Sequence, residues 1–181
     1  MGRVPYVSQD ELDPEYADLV VSSLQPGKTV NVYSAVANNP PVLAGLRTFL
    51  GALWTDSGLT DRQREVVILT AASEVGSAYE WHQHVSIATD AGLSPAEIAA
   101  IGRDDRSELP AVERTLVAYT RAVVRGRVTD AVHGAAVEHL GTTATVGAAA
   151  TAAGYLALGQ LIDALAVDLE AGDTFVGWDP R

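Results

Sequence analysis

Four side chains of the sequence have types and spacing suited to moving protons. They are Glu65, Ser77, Glu80 and His84, in the stretches Arg62-Gln-Arg-Glu65 and Ser77-Ala-Tyr-Glu80-Trp-His-Gln-His84. On a helix each residue advances about 100°, so residues three or four apart share a face. Glu80 and His84 are therefore neighbours, and Ser77 lies one turn above Glu80 at the helix start. Ile87 and Ala88 continue that stripe, which is otherwise apolar, with Trp81 at its flank. Glu65 interrupts a second inward-looking stripe, formed by Ile68, Leu69 and Ala72. An ionisable group in such a place is costly unless it is partnered, and partnered sets of this kind do acid–base work. Two carboxylates and an imidazole in a dry pocket push their proton affinities apart. That suits proton abstraction beside a carbonyl, isomerisation, or decarboxylation through an enolate.

Each residue also has a plainer role. Ser77 and Glu80 have the spacing of a capping box, the Ser contributing about 0.5–2 kcal/mol to the helix. Glu65 can pair with Arg62 one turn earlier. His84 can be a satisfied core histidine. Glu65, Glu80 and His84 can also be read as metal ligands, although the two histidines of Trp81-His-Gln-His84 are two apart and face differently, unlike the His-Glu-x-x-His arrangement. His82 points away from the stripe, toward solvent or a neighbouring subunit, and His133 and His139 read as surface residues. Tyr33, Tyr79, Trp81 and Tyr155 are candidates to line a substrate pocket beside Ser77.

The elements that must position these groups read as helices throughout. The chain has 181 residues, about half of them apolar, and alanine is frequent. This suits one compact domain of packed helices. Asp13-Pro14-Glu15 has the form of a helix start, with the helix running to about Ser23 before a turn at Gln25-Pro26-Gly27-Lys28. Further helices are expected over Tyr33–Ala37 and Val42–Trp54. Thr60-Asp-Arg-Gln63 is a capping box that opens a helix ending near Gly76, and Ser77 opens another to about Ala91. Ser94-Pro95-Ala96-Glu97 opens a short one; residues 103–108 read as a charged loop. Helices then run from Pro110 to about Arg125, from Thr129-Asp130 to about His139, and from Thr143 to about Glu170. No strand pattern or internal repeat is evident.

The last helix is apolar nearly all round. A membrane span fits poorly, since alanine and glycine carry little transfer energy and Asp163 would cost about 2.5–3.5 kcal/mol near a bilayer centre. Such a helix is otherwise buried within the protein or against another subunit; Gly147, Gly154 and Gly159 allow close approach, and an oligomer interface is expected. The formal net charge of -11 argues against nucleic acid and anionic lipid as partners. There is no cysteine, which removes disulfides, thiolate catalysis and Cys-ligated metals. The opening Met-Gly-Arg-Val-Pro-Tyr-Val-Ser lacks the apolar core of a secretory signal, and a cytoplasmic protein is expected.

The stretch from Leu59 to Ile98, with Leu-Thr-Asp-Arg-Gln-Arg-Glu-Val-Val-Ile-Leu, Tyr-Glu-Trp-His-Gln-His-Val and Ala-Gly-Leu-Ser-Pro-Ala-Glu-Ile, resembles the carboxymuconolactone decarboxylase family, which shares its fold with alkylhydroperoxidase D. Asn31-Val-Tyr-Ser-Ala-Val-Ala-Asn-Asn-Pro40 before it and the helix from Gly154-Tyr155 to Glu170 after it fit as well. Peroxidase members carry Glu, then Cys-x-x-Cys, then His four residues on. Glu65, Ser77, Glu80 and His84 fall on those positions at the same intervals, with both cysteines replaced, so a thiol peroxidase cannot operate here. The resemblance implies an all-α, single-domain helical bundle over residues 1–181, with an N-terminal arm and helix over 1–30 and a tail over 171–181. It also implies a homo-oligomer of three to six chains. On the cysteine-less side of the family no metal, flavin or nicotinamide is expected, and the function expected is a lyase or isomerase acting on a small carboxylated lactone or dicarbonyl compound. A non-catalytic binding or assembly module on the same scaffold and a metal-dependent oxygenase or hydrolase are the alternatives.

Overall fold

The computed structural model describes residues 2–21 and 28–170. Among these the regular structure is helical, apart from an isolated antiparallel bridge between Val21 and Thr29. Seven α-helices follow one another: α1 (Asn31–Val36), α2 (Pro40–Thr55), α3 (Asp61–Val75), α4 (Ala78–Asp90), α5 (Pro95–Gly102), α6 (Ala111–Val124) and α7 (Asp130–Leu165). Their backbone contacts group the chain into two units. Among the described residues one holds those up to Ala52 and residues 161–170; the other is Leu53–Gln160.

In the first unit the helix expected from Asp13 to Ser23 does not form over residues 13–21; Ser22 and Ser23 lie outside the described residues. Two short 3-10 turns, Gln9–Glu11 and Ala17–Val20, stand in its place. The cap that forms lies before Asp13, where the Ser8 N–H and hydroxyl both donate to the Glu11 carboxylate. A start signal without an apolar stripe behind it does not propagate a helix; of Ala17–Val20 only Val20 is buried. The turn read at Gln25-Pro26-Gly27-Lys28 lies, except for Lys28, outside the described residues. The N-terminal arm is tied down by Arg3, whose backbone N–H donates to the Leu165 carbonyl at 2.8 Å, and by Tyr6, which accepts from the Asp168 backbone N–H at 2.8 Å.

The second unit has α3 at its centre, against α4, α5 and α6. Nine consecutive residues of α3, Arg64–Ala72, are buried. Its N-terminus carries the expected capping box between Thr60 and Gln63. Its C-terminus stops at Gly76, whose φ of 72° is a left-handed cap that a side chain would oppose. The core gathers Val66, Val67 and Leu69 of α3 with Trp81, Ile101, Leu116, Val117, Ala148 and Ala152, among others.

The two helices expected over the last third are one chain of turns broken at Gly141, with φ 77° and ψ 165°. The arm after the break buries Ala144, Ala148, Ala152, Tyr155, Leu158 and Ile162, a stripe at helical spacing. This helix has the length and composition to cross a membrane, yet 56% of its most apolar window is buried inside the protein. Two of its glycines make their close approach within the chain itself. A Cβ on Gly147 would collide with the Ser57 carbonyl, and one on Gly159 would come within 2.8 Å of Val75 Cγ2 and 3.4 Å of Ser77 Cβ. The arm therefore lies directly on the α3–α4 junction. It ends at Leu165 rather than near Glu170, because Ala166 turns left-handed at φ 48°.

Candidate active site

The α3–α4 turn brings together residues that sequence spacing alone could not place opposite each other. Ser77 caps α4 by accepting from the Glu80 backbone N–H at 3.4 Å. The other half of a capping box is not made, because the Ser77 N–H goes to the Ala72 carbonyl at 2.9 Å. The Glu80 carboxyl therefore turns along α4 toward His84. Ser77 is a cap, as in its plainer reading, but Glu80 is more than one.

Glu65, Glu80 and His84 are 0%, 3% and 5% exposed, which puts all three in a dry interior. His84 Nδ1 is 2.7 Å from Glu65 Oε2, a charge-assisted hydrogen bond in which the imidazole N–H donates. The opposite nitrogen, Nε2, faces Glu80 Oε2 at 3.7 Å, beyond hydrogen-bond length. Glu65 thus fixes the ring, and Nε2 and the Glu80 carboxyl are presented side by side. Burial on its own depresses the His84 pKa. The carboxylates of Glu65 and then Glu80 outweigh that, Arg64 opposes them in part, and the net result is an imidazole held above its ordinary value.

Two further residues complete the cluster, and neither was singled out from the sequence. Arg64 is 4% exposed, with Nε 3.4 Å from Glu65 Oε1. Its Nη1 donates to the Trp54 carbonyl at 3.0 Å and to Asp61 at 2.9 Å, and its guanidinium lies 3.9 Å from the centre of the Trp54 ring. Trp54, near the end of α2, donates its indole N–H to the Tyr155 hydroxyl at 3.0 Å. Tyr155 in turn sets its ring at 84° against His84, centroids 5.2 Å apart. The available signal was an arginine directly before Glu65 in an otherwise apolar run.

The other expected residues fall as follows. Tyr155 joins the cluster. Tyr79 is buried on α4, and Trp81 belongs to the hydrophobic core. Tyr33 lies in the first unit, beneath the Arg47 guanidinium at 4.3 Å. His82 is half-buried on α4, while His133 and His139 are exposed, as expected. The pairing of Glu65 with Arg62 does not occur. Arg62 Nε and Nη2 instead grip Glu113 at 2.7 and 2.9 Å, with Nη2 also on Glu97 and Nη1 on the Gly92 carbonyl. Among the described residues no group of three or more His, Asp or Glu is arranged to hold a metal ion. A groove of about 800 Å³, lined in part by Arg106, Arg114, Val132 and His139, includes none of Glu65, Glu80 and His84.

The sequence model of the carboxymuconolactone decarboxylase family matches residues 40–105, the segment that holds Trp54, Arg64, Glu65, Glu80 and His84. The fold is similar to that of an uncharacterised peroxidase-related protein with an alkylhydroperoxidase D core from Ralstonia eutropha JMP134, with a TM-score of 0.82 at 19% identity over 94% of this chain and 93% of that one. It is also similar to the debrominase Bmp8. The Bmp8 structure in complex with 2,3,4-tribromopyrrole gives a TM-score of 0.71 at 16% identity, covering 80% of this chain and 79% of that one. The apo Bmp8 structure gives the same score and identity, over 80% of each chain. At these identities the likeness is one of fold. No curated protein matches the sequence. The chain is thus all-helical, with a fold similar to that of an alkylhydroperoxidase D core and a segment, residues 40–105, that matches the carboxymuconolactone decarboxylase family. The chain has no cysteine, and Ser77 and Glu80 stand at the positions where the resemblance puts the two thiols.

Proposed function

We propose that this protein is a cofactor-independent lyase or isomerase that uses Glu80 and His84 as its acid–base pair. Its substrate would be a small lactone or dicarbonyl compound, the carboxylated lactones being the ones the family resemblance implies. The observation that carries this reading is the asymmetry around His84. One ring nitrogen is anchored to Glu65 at 2.7 Å, and the other is left 3.7 Å from Glu80. The anchored imidazolium serves as acid toward a carbonyl oxygen, and the Glu80 carboxylate as base toward the neighbouring carbon. Glu65 positions His84 and favours its charged form. Trp54 and Tyr155 wall the imidazole and fix its tilt, and a dry setting strengthens each of these contacts. Tyr79, Trp81 and Ser77 remain candidates to shape the substrate space in an assembled cytoplasmic homo-oligomer.

The test replaces Glu80 by Gln. The amide keeps the size of the side chain and leaves Ser77 its cap, but it cannot accept and return a proton. Turnover lost with an unchanged melting temperature supports the enzyme. Turnover retained would reduce Glu80 to a structural residue and overturn the reading.

A further inference from the structure

The cations of the site's own elements, taken with their partners, say what charge a substrate can bring. The cluster is built from the segment around Trp54, from α3, from α4 and from the second arm of α7. Residues 53–60, α4 and α7 contain no lysine or arginine, and α3 contains only Arg62 and Arg64. Arg62 is committed to Glu97, Glu113 and the Gly92 carbonyl. Arg64 donates through Nη1 to Asp61 and the Trp54 carbonyl, and its Nε, which makes no hydrogen bond, is turned toward Glu65 at 3.4 Å, with a face covered by the Trp54 ring.

The other receptor for an anion would be the start of α4. Its donors are largely engaged as well. The Ser77 N–H goes to Ala72, the Ala78 N–H to Gly76 at 3.1 Å, and the Glu80 N–H to the Ser77 hydroxyl. Gly159 of α7 lies over Ser77, so close that a methyl group there would clash with Val75. Against this stand two carboxyl groups, Glu65 and Glu80, that flank the imidazole. A substrate carboxylate brought to Nε2 would be the third carboxyl group around a single imidazolium that Glu65 and Glu80 already flank, and an uncompensated buried charge is strongly disfavoured.

We infer that the site takes an uncharged, enolisable carbonyl compound and relocates a proton on it, rather than releasing carbon dioxide from a carboxylate. This rests on the acid–base reading above and narrows it. The step balances without a co-reactant. The Glu80 carboxylate takes the proton from the carbon beside the carbonyl, and the C–H electron pair becomes the carbon–carbon double bond of an enol. The carbonyl π pair moves onto oxygen, which takes the Nε2 proton of His84. In a β,γ-unsaturated substrate Glu80 then returns its proton to the γ carbon, the enol O–H returns its proton to His84, and the double bond ends conjugated with the carbonyl.

The experiment uses the full-length protein and two probes that differ in one group. The first is α-angelica lactone, an uncharged β,γ-unsaturated ring with a methyl substituent, whose conjugation is followed by ultraviolet absorbance. The second is the same ring with carboxymethyl in place of methyl. The expected result is a kcat/KM for the methyl ring that is higher by more than about tenfold, with both activities lost in Glu80→Gln. A preference for the carboxymethyl ring, or carbon dioxide released from a ring-carboxylated lactone, would overturn the inference while leaving the acid–base reading in place. It would mean that a cation reaches the site from elsewhere, for instance from a second copy of the chain. If the wild type turns over neither ring and exchanges no substrate C–H for solvent deuterium, the acid–base reading falls, and this inference with it.

Discussion

Helix α3 carries two arrangements of a cation between carboxylates, three residues apart, and they are built to opposite ends. Arg62 reaches Glu113 and Glu97 through short, direct contacts at the protein's edge, its side chain 26% exposed. His84 meets Glu65 directly but is held 3.7 Å off Glu80, with both glutamates nearly or fully out of solvent. In the first set the cation cannot lose its proton in the physiological range, and its carboxylates push it further from doing so. In the second the cation is an imidazole, the side chain that titrates near neutrality. A saturated cluster around a permanent charge ties helices together. A buried cluster around a titratable group, with one contact longer than a hydrogen bond, is on the proposed reading one that can pass a proton on.

The largest expected effect comes from breaking the second arrangement at its open side. Glu80→Gln should lower turnover by about 10²- to 10⁴-fold, the range for loss of a general acid or base, with thermal melting close to wild type. Steady-state kinetics and calorimetry on the same preparation check both halves. Next in size is the anchored side. Glu65→Gln keeps a hydrogen-bond acceptor for Nδ1 but removes the strongest influence holding the imidazole charged. His84 contributes stability fully at pH values below the ordinary histidine range, and that contribution fades as pH rises through its raised folded value. The variant should therefore lose about 1–3 kcal/mol in urea denaturation at neutral pH. The alkaline limb of its pH–rate profile should move to lower pH. An alkaline limb that stays in place would mean that His84 is not the acid.

These two clusters also show what the sequence made legible. The caps of α3, α4 and α5 and the Gly76 stop were readable because each rests on local chemistry within four residues. So was the sharing of one face by Glu80 and His84. The partner of Glu65 was not. Arg62 and His84 are both sterically plausible for it, and the choice is made by α5 and α6, which offer Arg62 two better acceptors in Glu97 and Glu113. Arg64 was missed for a related reason. In a helix buried over nine consecutive residues, periodicity no longer distinguishes a face, and an arginine reads as an outward group. Trp54 reaches the cluster through a turn, which no periodicity encodes. The helix expected from Asp13 failed from the other direction, a good cap with little apolar surface behind it.

The smaller effects test the first arrangement. Arg62→Gln should cost about 1–2 kcal/mol, the scale of a hydrogen-bonded charge network near the surface, while kcat/KM stays within about twofold of wild type. A large loss of activity without loss of stability would mean that Arg62 belongs to the chemistry after all, and the contrast between the clusters would collapse. The acid side gives a finer version of the same test. Hydrogen bonding to Arg62 is the main cause that holds the Glu97 carboxyl down to about 2. A depressed carboxylate contributes stability that is complete above its unfolded pKa, near the ordinary glutamate value of about 4.3, and is lost as pH falls through the folded one. The wild type should therefore lose stability between about pH 4.5 and 2. Arg62→Gln, already without that contribution, should show a shallower fall over the same window. Equal slopes in acid-dependent urea melts would show that the Arg62–Glu97 contact is not maintained in solution, leaving Glu113 as the partner that ties α6 to α3.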